Sequence, residues 1–246
     1  MNFFRYLFRL SLAYLNRFKG LIVASAILGI LAFVFVNFLS PIIFGKNIEK
    51  IGITGRHHTD SLPIWILELI GDGLTKVDES GNAEPNLAAS WESPDKGKTW
   101  IFKLKDELFW QDGEKVTSQS IIYQFSDVEI ERPDEKTIVF KLKEAFSPFP
   151  MAVSRPTFKK GLLGTGEWEV IKVSLGQARF VQKLTLKNKN GDKKIINFYP
   201  TEERTKLAYK LGEVDILYEL LDAKPYDTWP NTEVSQKIDT DKEVVI

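Results

Sequence analysis

From Gly20 to Gly45 the chain carries no charged residue, and the stretch from Leu21 to Val36 is almost wholly apolar. As a helix this run would rise about 39 Å, against a bilayer hydrocarbon core of about 30 Å, so it is long enough to span with some tilt. A cleaved signal peptide has a shorter apolar region followed by an Ala-x-Ala-like site. The segment Asn37-Phe38-Leu39-Ser40-Pro41 offers no such site, which predicts an uncleaved transmembrane anchor over 20–45. Residues 1–19 mix Phe3, Phe4, Tyr6, Phe8, Leu12 and Tyr14 with Arg5 and Arg9, the pattern of a basic, amphipathic leader at a membrane interface. Arg5, Arg9, Arg17 and Lys19 precede the run, while Lys46, Lys50 and Arg56 follow it. That bias puts the N-terminus in the cytoplasm and the body outside, in a single-pass protein of the cell membrane.

Beyond residue 46 the period changes from a continuous run to short alternating segments separated by turn formers. Trp100, Phe102 and Leu104 alternate with polar or smaller residues, and Ser93-Pro94-Asp95-Lys96-Gly97 is turn chemistry joining this strand to the one holding Trp91. Val128 and Ile130, then Ile138, Phe140 and Leu142, form a second hairpin pattern. Between them, Thr117 or Ser118 is placed to cap a short helix burying Ile121, Ile122 and Phe125. Gly164-Thr165-Gly166 feeds a strand with Trp168, Val170 and Ile171, and further strands are predicted over Phe180–Leu186 and Ile195–Tyr199. Thr201 caps a helix with Glu202 and Glu203 in its first turn, burying Leu207, Ala208 and Leu211 and stopping at Gly212 before the strand Val214-Asp215-Ile216-Leu217. Strands interspersed with helices indicate an α/β domain with a mixed sheet.

The composition narrows the chemistry. With no cysteine among 246 residues, disulfides, thiolate nucleophiles, cysteine-bound metals and a lipid-modified cysteine are excluded. Net charge is zero, yet residues 1–45 hold four basic residues and no acidic one, so the body is mildly acidic. Nucleic-acid binding, which needs clustered Lys and Arg against phosphates, is not expected. His57-His58 is the only histidine pair; neighbours in an extended segment point to opposite faces, so no metal site and no cofactor are expected. Gly164-Thr165-Gly166 lacks the lysine of a phosphate loop, and no hydrolase motif such as Gly-x-Ser-x-Gly occurs. Of the six tryptophans, Trp110 and Trp229 are the candidates for exposure near a cleft.

Several ordered motifs carry a resemblance. Leu69-Ile-Gly-Asp-Gly-Leu, Glu84-Pro-Asn-Leu-Ala-Ala-Ser-Trp, Lys98-Thr-Trp-Ile-Phe-Lys-Leu and Phe109-Trp-Gln-Asp-Gly-Glu-Lys-Val-Thr are followed by Lys136-Thr-Ile-Val-Phe-Lys-Leu. Gly164-Thr-Gly-Glu-Trp-Glu-Val and Leu211-Gly-Glu-Val-Asp-Ile then complete the series. The chain from about residue 50 onward resembles the extracytoplasmic solute-binding proteins, family 5, of peptide and nickel ABC importers. The resemblance implies that 46–246 is the first lobe of a periplasmic-binding-protein-like type II fold, cut short before a second lobe. It implies a non-enzymatic substrate-binding component that takes a small peptide or peptide-like solute, without catalytic residues, and delivers it to ABC permease subunits. Because Thr54–Pro63 matches the family's first strand and ligand-facing loop, it also implies that Arg56, His57, His58 and Thr59 line the cleft. Two other functions remain open on the residues alone: an anchored sensory or interaction ectodomain, and a cell-envelope hydrolase.

Overall fold

The computed structural model describes residues 17–20, 25, 27–31, 33–35, 47–228 and 232–235. The chain divides into two compact units, one formed by Met1–Asn47 with Asn190–Asp192, the other by Ile48–Lys189 with Lys193–Ile246. In the first unit the described residues between 17 and 35 are helical and exposed. No helix among the described residues is long and apolar enough to cross a membrane. The leader predicted over 1–19 and the span over 20–45 fall largely outside the described residues.

The second unit begins with strand β1 (Ile48–Thr54). Its alternation puts Ile51 and Ile53 on one face, where both are buried. Helix α1 (Ile64–Ile70) covers that face by burying Ile66 and Ile70. A small hairpin follows, β2 (Thr75–Val77) with β3 (Ala83–Pro85). Then come β4 (Ala88–Glu92), β5 (Thr99–Leu104), β6 (Val128–Asp134) and β7 (Thr137–Leu142), an antiparallel sheet in the order β4-β5-β7-β6. Both hairpins of this sheet are those that the alternation predicts. Phe102, Phe140, Ile138 and Leu104 form its inner face and pack with Leu74, Trp110, Ile121 and Phe149. Phe149 lies on the single-turn helix α2 (Phe149–Ala152).

The chain then returns to β1. Strands β8 (Glu169–Leu175), β9 (Val181–Lys187) and β10 (Lys193–Tyr199) run antiparallel in succession, and helix α3 (Glu202–Lys210) leads into β11 (Ile216–Tyr218). The five strands make one mixed sheet, β11-β1-β10-β9-β8. Here β1 is parallel to β10, with Thr54 beside Tyr199, and to β11, with Ile53 beside Tyr218. Helix α3 covers the face opposite α1. A Cβ on Gly52 would stand 3.1 Å from a Val214 methyl and 3.3 Å from the Thr205 methyl, so the missing side chain is what lets α3 approach. The Thr54 and Thr205 hydroxyls meet there at 2.7 Å.

Three local expectations are corrected. The segment after Thr117 is not a helix: Ser120 Oγ takes the Thr117 amide and donates to the Thr117 carbonyl, while Arg132 donates to the carbonyls of Ser118 and Ile121. Side chains thus occupy the backbone groups that helical bonds would need; Ile121 is buried, but Ile122 is exposed. Helix α3 buries Thr205 and Ala208, leaving Leu207 and Leu211 exposed, because the face against β1 has room only for small side chains. Thr201 does occupy the N-cap position, but its hydroxyl makes no capping bond to the backbone. Trp110, expected near a cleft, is 2% exposed inside the core beneath β5 and β7, its indole N–H donating to Ser120 Oγ at 3.1 Å.

The two larger sheets are tied by backbone crossings at glycines. A Cβ on Gly73 would overlap the Ser154 carbonyl, and one on Gly164 the Ile70 carbonyl. Gln111 closes this junction. Its amide nitrogen donates to the carbonyls of Ile70 (3.1 Å), Gly166 (3.0 Å) and Trp168 (3.0 Å), and its Oε1 accepts from the Gly164 amide at 3.1 Å. Asp72 adds a second tie, accepting from the Thr165 hydroxyl (2.8 Å) and from the Asn86 amide nitrogen (3.1 Å).

Candidate functional site

In an open α/β sheet a ligand crevice forms beyond the carboxyl ends of parallel strands where neighbouring strands send their connections to opposite faces. Adjacent β1 and β10 do this: β1 continues into α1 on one face and β10 into α3 on the other. The loop Gly55–Leu62 sits over the end of β10 and the start of β9. Gly55 turns the chain out of the sheet at φ +133°, its amide donating to the Tyr199 carbonyl at 2.8 Å. A side chain there would meet the His57 ring.

The loop is held at both sides. The His57 carbonyl accepts from the Val181 amide at 2.8 Å, its Nδ1 lies 3.1 Å from the Ser61 carbonyl, and its ring packs 5.7 Å from that of Phe198. His58 points the other way, stacked on Phe180 with centroids 4.4 Å apart, and Arg56 carries its guanidinium 5.9 Å from the same ring. Arg56 and His58 thus share one aromatic face, the guanidinium as a cation and the imidazole as a stacked ring. Thr59 is exposed at the loop tip beside Asp60. The structure brings Arg56, His57, His58 and Thr59 together; Trp110 lies in the other core, and Trp229 falls outside the described residues.

Two further aromatic groups stand at the same strand ends. Tyr218 lies against Trp65 of α1, centroids 4.4 Å apart. The Trp65 indole N–H is buried with no acceptor among the described residues. The Tyr199 hydroxyl is 3.4 Å from the Glu213 carboxylate, and burial together with that charge raises its pKa above the ordinary phenol value. Phe180, Tyr199 and Tyr218 carry no sequence signal of their own, since they reach the site through pairing between distant strands. The array offers aromatic faces, a hydroxyl, imidazoles and the Arg56 guanidinium. Among the described residues no group of three His, Cys, Asp or Glu side chains could hold a metal ion.

Residues 82–243 match the model for bacterial extracellular solute-binding proteins, family 5. The chain belongs to this family. A relative, the nickel-binding periplasmic protein of Escherichia coli K12, is 25% identical over 240 residues, which cover 78% of this chain and 45% of the relative. The probable D,D-dipeptide-binding periplasmic protein DdpA of the same organism is 34% identical over 85 residues, 28% of this chain and 16% of its own. Among solved structures, NikZ from Campylobacter jejuni in complex with Ni(L-His) superposes with a TM-score of 0.57 at 19% identity, covering 69% of this chain and 43% of that one. The nickel ABC transporter protein from Bacillus halodurans gives 0.57 at 19% identity, with 70% and 43% covered. The mixed α/β fold is thus that of ABC-transporter substrate-binding proteins, and these relatives are binding proteins rather than enzymes. The chain spans less than half the length of the nickel-binding relative and of these two structures.

Proposed function

We propose that the chain is a membrane-anchored substrate-binding component of an ABC importer, with 1–19 cytoplasmic, 20–45 crossing the membrane and 46–246 forming the extracytoplasmic lobe. Its ligand is a small peptide or a chelated metal, the classes named for its relatives, and its partners are ABC permease subunits. The observation that supports this reading is the loop Gly55–Leu62 over the switch point between β1 and β10, where Arg56 and His58 share the Phe180 ring. A peptide main chain or carboxylate meets donors there, while Tyr199 and Tyr218 supply aromatic and hydroxyl contacts. Binding proteins of this type close two lobes about a hinge.

The test is a tryptophan-fluorescence titration of the full chain with di- to pentapeptides and with nickel plus L-histidine. Binding of at least one probe is expected, with Arg56→Ala and His58→Ala each weakening it about fivefold, the range of one ordinary hydrogen bond. Saturable binding that neither substitution alters would reject this site.

A further inference from the structure

The end of the five-stranded sheet opposite the candidate crevice carries a different chemistry. Between 187 and 194 the β9–β10 hairpin holds four lysines and one aspartate, on a body that is otherwise net acidic. Lys187 and Lys193 stand directly opposite each other in the ladder, an arrangement that like charges disfavour. Lys194 is engaged by Glu49 and lies over the Trp168 ring. Lys187, Lys189 and Lys193 make no ion pair among the described residues, although Glu169 stands opposite Lys187 on β8. Ile48, the register partner of Lys193, is 50% exposed at the same end.

Connectivity decides what this end faces. Ile48 follows the apolar run 20–45 by three residues, a backbone reach of about 10 Å. Whatever surface the run enters lies within that distance of the first residue of β1, and hence of Lys193. We propose that Lys187, Lys189 and Lys193 form a contact surface for the anionic lipid headgroups of the membrane in which 20–45 is anchored. The contact holds the sheet upright, with its crevice about 20 Å farther out, one strand length away. This inference rests on the anchoring reading above. A lysine close to an anionic bilayer is worth about fivefold in partition and acts within about one Debye length, so these three lysines, Lys187 and Lys189 exposed and Lys193 half-buried, bias orientation without anchoring the chain themselves.

Because the chain has no cysteine, single labels are available at Asn190→Cys on the hairpin and at Gln177→Cys in the turn at the other end of β9. The labelled full chain is incorporated into phosphatidylcholine vesicles with or without phosphatidylglycerol, and quenching by a headgroup-attached nitroxide is measured. The Asn190 label is expected to be quenched more strongly than the Gln177 label. That quenching should deepen with phosphatidylglycerol and fall with salt. It should also be lost when Lys187, Lys189 and Lys193 are changed to Gln. Equal quenching of the two labels, or no dependence on phosphatidylglycerol, overturns the proposal. Flotation with phosphatidylcholine vesicles alone reads the anchor separately. Should flotation fail, the anchoring reading falls, and the hairpin is judged by flotation with phosphatidylglycerol vesicles. There the triple substitution must lower partition about a hundredfold, and an unchanged partition overturns it.

Discussion

Replacing Gln111 by Ala removes the one side chain that serves α1, the Gly164 turn and the start of β8 together. Its two amide hydrogens are shared among three carbonyls, and its oxygen takes a fourth group, the Gly164 amide. The partners do not lose equally. The Ile70 carbonyl still accepts from the Gly166 amide at 2.9 Å, whereas the Gly164 amide, on a buried residue, loses its acceptor and the Gly166 and Trp168 carbonyls lose their donor. An orphaned buried amide costs about 1–3 kcal/mol and each lost carbonyl bond about 0.5–1.5 kcal/mol, which together give about 3 kcal/mol. For a domain whose stability is about 5–15 kcal/mol this is a large fraction. Urea unfolding followed by tryptophan fluorescence should show the midpoint falling by about 1 M with an unchanged slope. Gln111→Glu, nearly identical in shape, should be at least as damaging at neutral pH because a carboxylate then faces three carbonyl oxygens. That environment raises its folded-state pKa above the unfolded value, so the deficit should shrink as pH falls through the raised value and the protonated acid regains a donor. An Ala variant within about 0.5 kcal/mol of the parent would refute the account of this junction.

Gly73→Ala should cost about 3 kcal/mol or prevent folding, since the new methyl group overlaps the Ser154 carbonyl; soluble yield and thermal melting read this directly. Tyr123→Phe should cost only about 1 kcal/mol by the same urea assay. Its hydroxyl bonds the Val153 and Arg155 carbonyls and the Leu74 amide, yet Leu74 and Val153 also bond each other at 2.9 Å and Arg155 is exposed to water. Asp95 accepts the amides of Thr99 (2.6 Å) and Lys98 (3.1 Å) across the β4–β5 turn, and those bonds, the Thr99 amide first, hold its pKa below the ordinary 3.8. Its contribution is therefore complete above 3.8 and is lost as pH falls below it toward the folded-state value. Asp95→Asn should lower stability at neutral pH and flatten the acid limb, which paired pH-dependent melts would detect.

Hairpins β4–β5 and β6–β7 were legible because each pairs neighbours in sequence across a turn whose aspartate, Asp95 or Asp134, accepts amides two to four residues on. The parallel set was not, because nothing local in Ile48–Thr54 announces a partner at Lys193–Tyr199. The same limit hid half of the site: Arg56, His57, His58 and Thr59 came from a matched motif, whereas Phe180, Tyr199 and Tyr218 needed the ladder. The face of α3 was misread because Leu207 and Leu211 dominate a hydrophobic pattern, while packing over Gly52 selects small residues. Trp110 was misplaced for a related reason: an indole beside an Asp-Gly turn reads as superficial until Ser120 is known to satisfy its N–H.

The register of β1 also sets an order in time. Ile48 must wait for Lys193, 145 residues later, and Ile51 for Ile216. At a synthesis rate of about 5–20 residues per second, β1 has no partner strand for about 10–30 s. During that interval β4 to β7, whose pairings are local, can close on their own, since short loops form fastest. The five-stranded sheet is then the last part of the body to assemble. A newly made molecule can accordingly have its antiparallel sheet in place before β1 and β10 meet, and the proposed crevice takes shape only with that late pairing.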